Sequence, residues 1–87
     1  VPNPASGSIS VFWQVAQAGA DAAVKVYDAS GRQVKVLFSG KAEAGLNEAV
    51  WTGRDSKGRS VPAGVYFCTL ETKDDRISRK VILTETD

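Results

Sequence analysis

An all-β fold, an antiparallel sandwich of about seven short strands, is predicted by three observations. Apolar residues recur at every second position in short runs, the period of a strand with one buried face. The runs are separated at near-regular intervals by stretches rich in Gly, Asp and Ser, which close turns. No segment has the length or spacing of a stable helix: Lys41, Ala42, Glu43 and Ala44 allow one turn at most. At 87 residues the chain is a single small domain. A domain of this size buries only about 60% of its unfolded surface, so each large apolar side chain counts.

Residues 1–7 are expected to be a linker or domain edge, because Pro2 and Pro4 fix φ and withhold amide donors. The sandwich should occupy 8–84, with 85–87 as a polar tail. In the first strand, 8–15, Ile9, Val11, Trp13 and Val15 share one face. Phe12 falls on the polar face and is expected to be exposed or to rest against a neighbouring domain. A turn over 16–21, containing Gly19, leads to a second strand, 22–27, with Ala22, Val24 and Val26 inward and Lys25 and Tyr27 outward or toward a sheet edge. The third strand, 33–38, is followed by a loop crossing between sheets. Residues 46–51 alternate again, setting Asn47, Ala49 and Trp51 opposite Leu46, Glu48 and Val50. Trp51 should be interior, since a sheet face must be filled and few side chains here are large. Val61, Pro62, Ala63 and Gly64 fit a type I turn. Apolar on both faces, 65–72 reads as a central strand. A solvated hairpin over 73–76 then leads to the last strand, 77–84, carrying Ile77, Val81 and Leu83.

One turn device occurs twice, as Asp28-x-x-Gly31-Arg32-x-Val34 and Asp55-x-x-Gly58-Arg59-x-Val61. Asp accepts a hydrogen bond from the backbone two residues on, and Gly supplies the positive φ that closes the loop. A calcium loop is a poor fit, since each copy offers one carboxylate and calcium takes six to eight oxygens.

Composition excludes several chemistries. There is no His and one Cys, so neither a Ser-His-Asp triad nor a His-containing or multi-thiolate metal site can form within the chain. Cys68 reads as a small core residue, and no cofactor is expected. Asp74 and Asp75 are the only adjacent carboxylates, and sequence neighbours do not make the opposed pair about 5–9 Å apart that a glycosidase needs. Eleven basic and ten acidic residues, spread along the chain, do not suit a nucleic-acid surface. No apolar run approaches the ~20 residues of a membrane-spanning helix, so no membrane insertion is expected. Tyr66-Phe67-Cys68 has the Tyr-x-Cys spacing of the tyrosine corner in immunoglobulin-type domains, whose hydroxyl bonds back across a loop.

Three ordered motifs resemble the Ig-like domain first described in the flagellar hook-capping protein FlgD: Val26-Tyr27-Asp28 with Gly31, Arg32 and Val34; Trp51-x-Gly53-Arg54-Asp55 with Gly58; and Pro62-x-Gly64-Val65-Tyr66-Phe67. The match spans nearly the whole chain. Pro2-Asn3-Pro4-Ala5 and Arg79-Lys80-Val81-Ile82-Leu83 are also similar to C-terminal sorting domains of the type IX secretion system, although 85–87 depart from that pattern. The resemblance implies an Ig-like β-sandwich whose structural signature is Asp28, Gly31, Arg32, Trp51, Gly53, Asp55, Gly58, Pro62, Gly64 and Tyr66.

It further implies a non-catalytic, C-terminal accessory module of a larger secreted or cell-surface bacterial protein, acting as spacer, stabiliser or sorting signal. Its partners would be other domains of the parent polypeptide, with secretion machinery or a polysaccharide as further candidates, and it would be monomeric. The alternative is a carbohydrate-binding module attached to a secreted glycoside hydrolase or similar enzyme, with Phe12, Tyr27 and Phe67 stacking on sugar rings. Against that stands the ordinary role of aromatics as core or interface filling.

Overall fold

A computed structural model describes residues 5–6, 8–15, 18–73 and 75–84. The elements are β1 (Ala5–Ser6), β2 (Ile9–Val15), β3 (Asp21–Asp28), β4 (Gln33–Lys41), β5 (Gly45–Trp51), β6 (Gly64–Thr72) and β7 (Arg76–Thr84). Six strands of seven to nine residues make the sandwich, where about seven were expected; the remaining element is the two-residue β1. No described residue is helical. One sheet runs β1-β7-β6-β3-β4 and the other is the pair β2-β5. All pairings are antiparallel except β1 with β7, where Ala5 lies beside Leu83 and Ser6 beside Thr84. Part of the segment read as a linker or domain edge therefore joins the sheet. It pairs with an outer strand that would otherwise present open backbone groups.

The buried cluster is Ile9, Val26, Trp51, Tyr66, Cys68, Val81 and Leu83, with Val11, Val34, Leu37 and Val61 packed on it. Of the inward sets expected for β2 and β3, Ile9 and Trp13, then Ala22, Val24 and Val26, are buried, while Val11 and Val15 are half-buried. β4 runs three residues further than 33–38 and does not alternate, because its pairing with β3 slips twice. Val24 faces Phe38 and Lys25 faces Val36, leaving Leu37 unpaired; Val26 faces Lys35 and Tyr27 faces Gln33, leaving Val34 unpaired. These two bulged residues are the ones β4 lends to the core cluster. A bulge admits an extra residue and re-aims its side chain, so an irregular apolar run can still fill one face.

As expected, β6 is central, lying between β7 and β3. Its burial on both faces is achieved partly by a polar residue: Thr69, 1% exposed, shares a 2.9 Å hydrogen bond with the Ser78 hydroxyl of β7. The small sheet covers the large one unevenly. Near Trp51 the two sheets enclose the core, whereas toward the other end Trp13 meets Phe38 at 5.5 Å between centroids and Ile77 is 46% exposed. On the outer face of the small sheet Phe12, 53% exposed, stands opposite Glu48 with exposed Leu46 and Val50 diagonal to it.

Candidate functional site

The segment from Trp51 to Phe67 carries the chain from the small sheet to the large one, and its side chains are spent on that crossing. Trp51 ends β5 and is 1% exposed. Its Nε1–H donates to the Arg54 carbonyl at 2.9 Å, and its ring meets Tyr66 edge-on at 5.1 Å. The chain then folds back on itself: Arg54 and Ser60 form an isolated antiparallel bridge, and the Val61 N–H donates to the Gly53 carbonyl at 3.0 Å. Buried Gly53 has φ +75°. The chain bends at Ala63 before β6, and the Tyr66 hydroxyl donates to the Pro62 carbonyl at 2.5 Å. That bond, four residues upstream and two residues before Cys68, is the tyrosine-corner arrangement expected from the spacing.

The two Asp loops share their backbone bonds and their Arg pairing, and the first adds a bond from the Ser30 hydroxyl to Asp28 Oδ1 at 2.6 Å. Asp28 Oδ1 accepts from the Ser30 N–H and the Arg32 N–H, both at 3.0 Å, and its Oδ2 faces Arg32 Nε at 3.4 Å. Asp55 Oδ1 accepts from the Lys57 N–H at 2.9 Å and the Arg59 N–H at 3.0 Å, with Arg59 Nε 3.2 Å from Oδ2. In both, the glycine N–H at the fourth position donates to the Asp carbonyl at 3.0 Å, closing the turn. Gly31 and Gly58 have φ of +89° and +80°. The first loop joins β3 to β4, two paired neighbours, whereas the second lies within the inter-sheet crossing. They touch where the Ser56 N–H donates to the Val34 carbonyl at 3.1 Å, and a shallow polar cavity of about 320 Å³ lies between them. Nothing around Gly58 obstructs a Cβ, so the cost of Gly58→Ala is that of positive φ alone, about 1 kcal/mol. Urea unfolding should show that loss, and a smaller one for Asn at the same position.

Both carboxyls are held below the ordinary Asp value. For Asp28 the main cause is the Ser30 hydroxyl bond, followed by the Arg32 amide; for Asp55 it is the Arg59 amide. A folded pKa below the unfolded one means that the contribution to stability is complete above the unfolded value and is lost as pH falls through the folded one. The urea midpoint should thus be insensitive to these groups near neutrality and decline below about pH 4. The double variant Asp28→Asn/Asp55→Asn should flatten that decline.

These carboxylates are already engaged by their own loops, and no group of three potential metal ligands occurs among the described residues. Cys68 is buried, and burial pushes its thiol pKa up, which disfavours the reactive thiolate. Asp74 lies outside the described residues; Asp75 belongs to the β6–β7 turn, its N–H donating to Thr72 Oγ1 at 3.1 Å.

The three aromatics considered as ligand contacts do not share a platform. Tyr27 and Phe67 face each other across β3 and β6 on the outer face of the large sheet. Phe12 is on the outer face of the opposite sheet. Tyr27 is itself occupied: the Arg76 guanidinium lies 5.6 Å from its ring centroid, and its hydroxyl donates to Glu71 Oε2 at 3.2 Å. Glu71 also pairs with Lys25 Nζ at 3.4 Å. This Lys25–Glu71–Tyr27–Arg76 group had no signal in sequence, because it depends on the register of three strands.

The sequence profile of the FlgD Ig-like domain matches residues 3–76. The chain is also similar to the crystal structure of FlgD from P. aeruginosa, with a TM-score of 0.65 and 26% identity over 84% of this chain. That likeness spans 55% of the FlgD chain, so this chain corresponds to about half of that protein's length. No curated protein sequence matches significantly. With the profile covering most of its length, and a tyrosine corner and paired Asp loops at the motif positions, this chain belongs to the FlgD Ig-like domain family.

Proposed function

We propose that this chain is a non-catalytic accessory module of a larger, exported bacterial protein, in which it spaces or stabilises neighbouring domains. The observation that carries this reading is how the most specific stretch of the sequence is used: Trp51, Arg54, Asp55, Gly58, Pro62 and Tyr66 bond to one another's loops and strands. Such a corner has structural work to do and offers a ligand little. Residues 8–84 form the module, joined by Ala5 and Ser6, and the exposed Phe12, Leu46 and Val50 are the surface offered to other domains of the parent. A flagellar-hook-related assembly is the parent context suggested by the family, with export to the cell surface or beyond. The similarity of the basic-then-apolar β7 to sorting domains supports a finer role at the secretion step. Sugar binding is the weaker reading, because Phe12 is remote from Tyr27 and the face of Tyr27 is taken by Arg76.

Deletion of the 87 residues from the full-length parent tests the proposal. The expected result is a lower exported yield or a lower unfolding temperature, with the activity of each remaining folded molecule unchanged. Unaltered export and unaltered thermal stability would remove the basis for the reading. Affinity electrophoresis in soluble polysaccharides is expected to show no retardation.

A further inference from the structure

Among the described residues the small sheet has two strands, and one edge of β2 has no paired strand. A cleft of about 650 Å³ runs along that edge, walled by Val11, Phe12, Trp13 and Gln14 on one side and by Cys68, Leu70, Ile77, Arg79 and Lys80 on the other. Consecutive β2 residues contribute to it although their side chains point to opposite faces, so the backbone edge itself fronts the cleft. β2 has the sequence Ile-Ser-Val-Phe-Trp-Gln-Val, with no charge and no proline, the devices that usually guard an exposed edge. Trp13 Nε1 is buried without a hydrogen-bond partner among the described residues. Opposite the edge, the inward face of the large sheet offers Leu70 and Ile77 and then exposed Arg79, whose Nη1–H donates to the Ser78 carbonyl at 3.3 Å.

We propose that the free edge of β2 accepts an extended peptide segment as a third strand, apolar on its inward face over Leu70 and Ile77 and bearing a carboxylate beside Arg79. Main-chain bonds to β2 supply the attachment, and alternate side chains supply the selection. Charge decides the occupant. A second copy pairing through its own β2 would set a strand of seven uncharged residues beside Arg79, whereas an acidic-apolar strand satisfies both parts of the wall. The proposal does not depend on what the module does for its parent.

The test is an NMR titration of the isotope-labelled 87-residue chain with the blocked peptide Thr-Val-Thr-Val-Thr-Asp-Thr. Binding should saturate and slow amide exchange at every second residue of 9–15, since only alternate amides face the free edge. Methylating alternate peptide nitrogens should abolish binding in one of the two frames and spare the other. Arg79→Glu, a change at an exposed side chain, should weaken binding about fivefold, the scale of a partly exposed ion pair, and should favour the counterpart peptide with Lys in place of Asp. The proposal is overturned by any of four results: no saturable shift at millimolar peptide, equal binding of both methylated frames, indifference to Arg79→Glu, or concentration-dependent dimerisation that protects β2 without peptide.

Discussion

Trp51→Ala is expected to destabilise the domain by about 3–5 kcal/mol, the range for removing a large buried aromatic. Trp51 is 1% exposed and belongs to the central cluster, so truncation leaves a cavity between the sheets rather than a dent in the surface. It also removes the edge-on contact with Tyr66 and the Nε1–H bond that holds the Arg54 carbonyl at the start of the crossing. A domain of this length has a total stability of about 4–13 kcal/mol, so the variant should sit near its unfolding threshold. Urea denaturation followed by far-UV circular dichroism measures the loss. Trp51→Phe keeps most of the packing and gives up the indole bond, and should cost about 1–2 kcal/mol.

Tyr66 should show the second-largest effect, divisible into two parts. Tyr66→Ala removes a ring buried between the sheets and is expected to cost about 3–5 kcal/mol. Tyr66→Phe removes only the hydroxyl bond to the Pro62 carbonyl and should cost about 0.5–1.5 kcal/mol. Water can reach the exposed Pro62 in its place, which favours the lower end. In the Trp51→Ala/Tyr66→Ala double variant the losses should fall short of additive by about 0.5–1.5 kcal/mol, the coupling typical of an aromatic pair. Additive losses would mean that the two rings act independently.

What could be read from the sequence was what repeats with a local period or a local motif. The inward sets of β2 and β3 followed from alternation, the Asp loops from the offset between Asp and Gly, and the tyrosine corner from Tyr-x-Cys. The burial of Trp51 followed from the need to fill a sheet face. The remainder depended on register. Val34 and Leu37 enter the core through bulges, and a bulge leaves no mark on a run as apolar as 34–38. Residues 1–7 read as a linker or domain edge because of their prolines and Gly7, and nothing local marks Ala5 and Ser6 as the two that pair with an outer strand. Likewise, the grouping of Tyr27, Glu71, Lys25 and Arg76 joins residues up to 51 positions apart, and no local pattern could assemble it. The open cleft beside β2 follows from the unequal sizes of the sheets, which strand counting alone does not give.

The stretch around Trp51 is the closed end of the core rather than a surface for ligands. Native-state hydrogen exchange of the Trp51 indole N–H tests this most directly. Because Trp51 is 1% exposed within the central cluster and that proton is bonded to the Arg54 carbonyl, it should exchange only through unfolding of the whole domain, with a protection free energy equal to that of the slowest backbone amides. Exchange close to the rate of an unprotected indole would contradict burial of Trp51 and make it part of an accessible site.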